Sequence, residues 1–262
     1  MSVLRERFAS LRAKKHCGFI PFVVAGDPDL NTTAALLRGL SDLQPAAIEV
    51  GVPFSDPTAD GLVIQRAAER ALQSGTTLQR VLQMIREIEA LAPLVLFSYY
   101  NPILQLGLER FAREAARCEI AGVLAVDLPA EAATELHVAL RKQGIDLIFL
   151  VAPTTSDERL RKISRLASGF IYAVARTGVT GNARELTDES QQLVSRIRKV
   201  TDLPIAVGFG ITERAQAQRV CRYADAAVVG SWLVAEIEAG GADVVQRVTK
   251  CAEQFAQLRC RR

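Results

Sequence analysis

Short apolar runs alternate with longer segments of helical period along almost the whole chain. The runs GFIPFVVA (18–25), AAIEV (46–50), PLVLFS (93–98), GVLAVD (122–127), DLIFLVA (146–152), GFIYAVA (169–175), LPIAVGF (203–209) and DAAVVG (225–230) predict eight strands. Unbroken apolar runs are the mark of strands buried on both faces, as in a parallel sheet. Between them, segments 32–43, 62–91, 108–119, 131–143, 158–166, 189–200, 213–221 and 242–258 have helical spacing. Asn31, Thr76, Ser156, Thr187 and Thr212 are the residue types expected to cap such helices. Eight strand–helix units in 262 residues predict a single (β/α)8 barrel over 1–262. A doubly wound open sheet would want G-x-G-x-x-G after the first strand, where VAGDPD stands instead. Two stretches depart from the regular plan: 53–61 with its following helix, and the Gly/Thr-rich RTGVTGNARELT at 176–187. A short extra helix is expected after strand eight, at 232–239, and the N-terminal MSVLRERFASLRAKK reads as an amphipathic helix without a signal peptide's apolar centre.

Composition narrows the class. Hydrophobic residues make up 49% and charged residues 23%, which suits a sizeable core. A net charge of +3 from 32 basic and 29 acidic residues gives no reason to expect nucleic acid. No run approaches the roughly 18 apolar residues of a membrane span. Five cysteines without tight spacing predict no disulfide framework and a reducing, cytoplasmic location. Cys17 and Cys118 are expected to be packing residues.

In a (β/α)8 barrel the chemistry lies in the loops that follow the strands. Strand seven ends in GFG (208–210) and strand eight in Gly230-Ser231, each followed by a helix start. Glycines let backbone N–H groups approach an anion, and helix starts carry partial positive charge, so a phosphate site is expected there; simple chain turning is the alternative. The stretch EVGVPFSDPTADG gathers three carboxylates in thirteen residues at the end of strand two. Glu49 reads either as a functional acid aimed into the barrel or as a solvated rim residue. Asp60 reads either as a functional acid or as an N-cap, and Asp56, within SDP, as a turn residue. None of the six lysines stands at the C-terminal end of a strand, so a Schiff base has no candidate. His16 and His137 form no cluster for a catalytic metal, so no metal is expected. What remains is acid–base work by carboxylates on a phosphorylated substrate.

The motifs EVGVPFSDPTADG, YYNPIL (99–104), DLPAE (127–131), VAPTT (151–155), GFIYAVARTGVTG (169–181), GFGI (208–211) and VVGS (228–231) closely resemble the tryptophan synthase α subunit family, in unbroken order from Phe19 to Ser231. The resemblance implies a barrel that cleaves indole-3-glycerol phosphate to indole and glyceraldehyde 3-phosphate, with Glu49 and Asp60 as the catalytic acids. It also implies that Gly181, Gly210, Gly230 and Ser231 hold the phosphate. Phe22, Tyr99, Leu124, Tyr172 and Phe209 would line the indole pocket. Arg176 and Thr180 would belong to a lid. Pro53 and Asp56 would face a β subunit in an α2β2 assembly, and pyridoxal phosphate would belong to that partner, leaving this chain without a cofactor.

The family's SDPLADGP reads SDPTADGL here, with Thr58 and Leu62, and Ala175 replaces the serine usual before the arginine of the strand-six motif. Both acids are retained. Two further readings remain at this point: a stand-alone indole-3-glycerol phosphate lyase, and a non-catalytic partner that only activates a β subunit.

Overall fold

Each apolar run becomes a strand, and each strand pairs in parallel with its neighbours in sequence. The strands are β1 (Gly18–Val24), β2 (Ile48–Gly51), β3 (Leu94–Ser98), β4 (Ile120–Ala125), β5 (Asp146–Val151), β6 (Ile171–Val174), β7 (Ile205–Gly208) and β8 (Ala226–Val229). β8 returns to β1 with Ile20 opposite Val228, so the sheet closes into a barrel. The computed structural model describes residues 2–88, 92–174, 183–208 and 210–260, with 183–187 as backbone alone.

The helices described are α1 (Val3–Ala13), α2 (Leu30–Asp42), α3 (Leu62–Gln73), α4 (Leu78–Arg86), α5 (Tyr100–Leu106), α6 (Leu108–Arg117), α7 (Thr134–Lys142), α8 (Asp157–Leu166), α9 (Ala183–Arg198), α10 (Arg214–Val220), α11 (Ser231–Glu238) and α12 (Val244–Glu253). The extra helices expected after the second and eighth strands are α3 and α11. The unexpected α5 contains Pro102, which sits in the first turn, where a missing N–H breaks no helical hydrogen bond.

Several caps differ from expectation. Asp29, not Asn31, caps α2, accepting the Thr32 N–H at 2.8 Å. Thr77, not Thr76, caps α4. Glu213, not Thr212, caps α10 in a reciprocal capping box with Gln216. Thr187 lies inside α9, while Ser156 caps α8 as expected. α2 begins at Leu30, which packs on the core two residues ahead of the expected start, so the cap moves back to Asp29. Thr76 is instead buried beneath Gly26. Gly26 has φ +88°, and a Cβ there would stand 2.0 Å from the Thr76 hydroxyl oxygen. Only glycine fits that turn at the end of β1.

Two apolar shells hold the fold. Between sheet and helices lies a continuous layer that includes Leu36, Leu40, Ile103, Phe111 and Phe255. Inside the barrel, Ile20, Val95, Leu124, Ile148, Phe170 and Val228 pack together. At the lower end α1 inserts Leu4 and Phe8, and the Phe8 ring lies 5.7 Å from that of Phe170. Burying a ring such as Phe170 contributes about 2 kcal/mol.

The cysteines depart from expectation. Cys17, just before β1, and Cys221, at the end of α10, form a disulfide across a sequence separation of 204. Barrel closure brings β1 beside β8, a neighbourhood that cysteine spacing does not encode. Composition therefore loses its argument for a reducing compartment. Cys118 is the buried packing residue expected, its thiol turned to the Leu82 carbonyl at 3.1 Å. Among the described residues no helix is long and apolar enough to cross a membrane.

Candidate active site

The pleat of β2 decides where Glu49 points. Its register partners are Phe22 on β1 and Val95 on β3, and Val95 belongs to the barrel interior. Glu49 is fully buried, and neither carboxyl oxygen has a hydrogen-bond partner among the described residues. Desolvation pushes its pKa from the ordinary 4.5 up to about 8. At neutral pH it is therefore mainly a neutral acid, able to give a proton and then take one back. The solvated-rim reading does not survive this burial. Tyr172 lies close by: burial first, and the charge of Glu49 second, raise its phenol well above the usual range. Its hydroxyl fills the space over Gly208, where a Cβ would come within 2.5 Å of the oxygen.

Asp60 ends the loop that follows β2. The N-cap of α3 is Gly61, which has no side-chain cap bond, so Asp60 is not a helix cap. Its carboxylate instead accepts the Tyr99 hydroxyl at 3.1 Å, and Tyr99 in turn accepts the Ala59 N–H at 2.9 Å. The Phe54 ring stacks on Tyr99 at 4.8 Å, and Gln65 donates to the Asp60 carbonyl at 2.8 Å. Burial raises the pKa of Asp60, and the Tyr99 hydrogen bond opposes that rise. The expected pocket residue Tyr99 thus holds the acid as well.

Phe22 spans the space between acid and glycines. A Cβ on Gly51 would meet its ring at 2.7 Å, one on Gly230 would meet its Cβ at 3.5 Å, and Phe97 stands edge-on to it at 5.4 Å. Gly230 precedes α11 without a side-chain cap bond, and half-buried Ser231 is the first residue of that helix. The first-turn N–H groups of a helix have no partner within it, which is the arrangement an anion uses. Gly210 has φ +43°. Leu124 is fully buried inside the barrel. Asp56 is exposed whereas Pro53 is buried, so of these two only Asp56 offers its side chain to a partner. Gly181, Phe209, Arg176 and Thr180 lie outside the described residues, as does Ala175.

Two features escaped the sequence reading. Asp127 caps α5, its Oδ1 accepting the Tyr100 N–H at 2.7 Å. Asp27, 1% exposed, receives a two-pronged bond from Arg70 on α3. Both aspartates follow a strand, but their partners are remote in sequence. Among the described residues, no group of three His, Cys, Asp or Glu side chains is placed to hold a metal.

The sequence model described as tryptophan synthase alpha chain matches residues 8–260. The chain belongs to that family. Its place is therefore that of an α subunit in tryptophan biosynthesis. It is 47% identical to the tryptophan synthase alpha chain of Trichormus variabilis over 243 residues, covering 92% of this chain and 91% of that one. It is also 47% identical to the Caulobacter sp. protein of the same name, covering 96% and 94%. The crystal structure of tryptophan synthase subunit alpha from Legionella pneumophila superposes with a TM-score of 0.90 at 34% identity, covering 98% of both chains. A chain of tryptophan synthase from M. tuberculosis, in its aminoacrylate-bound form, does so at 0.89 and 33%, covering 99% and 100%.

Proposed function

We propose that the chain cleaves the carbon–carbon bond of indole-3-glycerol phosphate, with Glu49 and Asp60 as its acids. The observation that carries this is Glu49: a fully buried carboxyl without a partner, held neutral near pH 7 in the barrel. The neutral acid protonates indole C3, and positive charge develops at the ring nitrogen. Asp60, steadied by Tyr99, accepts the indole N–H and stabilises that charge. The electron pair of the breaking bond returns to the ring as indole leaves. The side-chain hydroxyl gives its proton to the Glu49 carboxylate, forming the aldehyde of glyceraldehyde 3-phosphate and restoring the acid. Backbone N–H groups around Gly210, Gly230 and Gly181, with the Ser231 hydroxyl, hold the phosphate. Phe22, Leu124 and Tyr172 surround the ring.

The chain works with a β subunit in an α2β2 assembly, and pyridoxal phosphate belongs to that partner. The face that meets it carries Asp56 together with Leu62 and Leu104, which are 72% and 50% exposed. Leu62 opens α3 and Leu104 lies on α5, the helices that follow β2 and β3, and exposed leucines there favour a partner over bare solvent. An indole-release assay on the purified chain, with and without a β subunit, tests the reading. Release should be slow alone and rise on mixing, and Glu49→Gln should abolish it. Equal rates with and without the partner would mean a stand-alone lyase; unchanged physiological output in Glu49→Gln would mean a non-catalytic partner.

A further inference from the structure

The two helices that interrupt the eightfold plan, α3 and α11, are tied to each other over the end of β1. Beneath them Val63, Ile64, Ala67 and Ala71 of α3 meet Val234 of α11 over Phe22 and Val24. Above that apolar seam lies an ionic one. Arg66 and Arg70 are four apart and share one face of α3. Arg66 grips Glu238 with Nε to Oε1 at 2.7 Å and Nη2 to Oε2 at 2.8 Å. Arg70 reaches Glu238 Oε1 at 2.8 Å and holds both oxygens of buried Asp27 at 2.8 Å.

Glu238 is the last residue of α11, where the helix dipole disfavours a negative charge. The hydrogen bonds from Arg66, which outweigh the other influences, hold its carboxyl down at about 2. The ion network thus overrides the dipole. Each helix begins at a candidate functional group: α3 two residues after Asp60, and α11 at Ser231. Fixing the helices to one another fixes the span between those groups.

We propose that Glu238, with Arg66 and Arg70, is a positioning clamp that sets Asp60 against the phosphate cradle, so that an anion at Ser231 steadies the Asp60 loop. The assignment rests on the acid and phosphate roles proposed above. It also accounts for three charged side chains of two extra helices meeting in one network, which Arg70 anchors on the buried Asp27 of the barrel.

Glu238→Gln tests it, because the Arg70–Asp27 pair survives and the fold should stay within about 3 °C of its melting temperature. Arg66→Gln is the second variant. Amide hydrogen exchange across 57–66 is read with and without glycerol 3-phosphate as the anionic tail. In the unsubstituted chain the ligand should slow exchange by about tenfold, and in either variant by less than twofold. In turnover, Glu238→Gln should raise KM and lower kcat by about tenfold, and its kcat loss should be less than additive with that of Tyr99→Phe. Equal protection in all three proteins, no protection in the unsubstituted chain, or additive kcat losses would overturn the clamp. Absence of indole release with ligand protection intact would overturn the lyase reading and leave the clamp standing.

Discussion

The Tyr99 hydroxyl stands between the Ala59 N–H and the Asp60 carboxylate, accepting from the first at 2.9 Å and donating to the second at 3.1 Å. One phenol thereby fixes both the path of the loop and the aim of the acid. The β3 end that carries Tyr99 is part of the rigid barrel, whereas Asp60 lies in a loop. The tyrosine lends that rigidity to a group that would otherwise wander.

Tyr99→Phe keeps the ring stacked on Phe54 and removes only the hydroxyl. The hydrogen bond lowers the pKa of Asp60, so its loss lets burial raise that pKa further. If catalysis needs ionised Asp60, the acidic limb of kcat/KM against pH moves to higher pH. The rate at its plateau falls by roughly tenfold to a hundredfold, while stability changes by only about 1 kcal/mol.

Glu49 couples stability to pH. Its folded pKa of about 8 lies above the ordinary 4.5, so the folded state binds its proton more tightly than the unfolded chain does. Its stabilising contribution is whole below about pH 4.5, is lost as pH rises through 8, and then stays flat. The loss is on the order of 5 kcal/mol. Urea unfolding between pH 5 and 9 should show this decline in the unsubstituted chain and not in Glu49→Gln. The Gln variant should be inactive yet comparatively more stable at high pH. In turnover, loss of the Glu49 proton should give kcat/KM a basic limb near pH 8.

The lower end of the barrel should behave in the opposite way. Phe170 packs on Phe8 far from either acid. Phe170→Ala should cost about 3–5 kcal/mol in thermal or urea unfolding. The protein that remains folded at low temperature should keep its KM for indole-3-glycerol phosphate.

Leu104 is half exposed on α5 and adds little to the core. Leu104→Asp should leave indole release by the isolated chain unchanged and reduce its stimulation by a β subunit by about tenfold or more. Titrating β subunit into a fixed amount of this chain checks it.

The repeating apolar period made the barrel legible, because eight buried strands need eight continuous runs and each left its mark. Glu49 was legible as an acid at a strand end; that it is wholly buried and unpartnered depends on register with Phe22 and Val95, which no local pattern encodes. α5 was missed because seven residues with a proline near the start scarcely show a period. Asp29 is hard to read as a cap because only one apolar residue, Leu30, separates it from the polar Asn31-Thr32-Thr33. Cys17–Cys221 and Arg70–Glu238 were invisible for a common reason: each joins segments that only the closed barrel and its extra helices make neighbours.

The wedge that α1 drives into the lower barrel, with Leu4 and Phe8 set against Phe170, closes that end beneath an interior already filled by side chains. Whatever enters past Glu49 must back out by the same opening. Ligand exchange is therefore decided at the rim, so a partner docked there would govern both entry and exit.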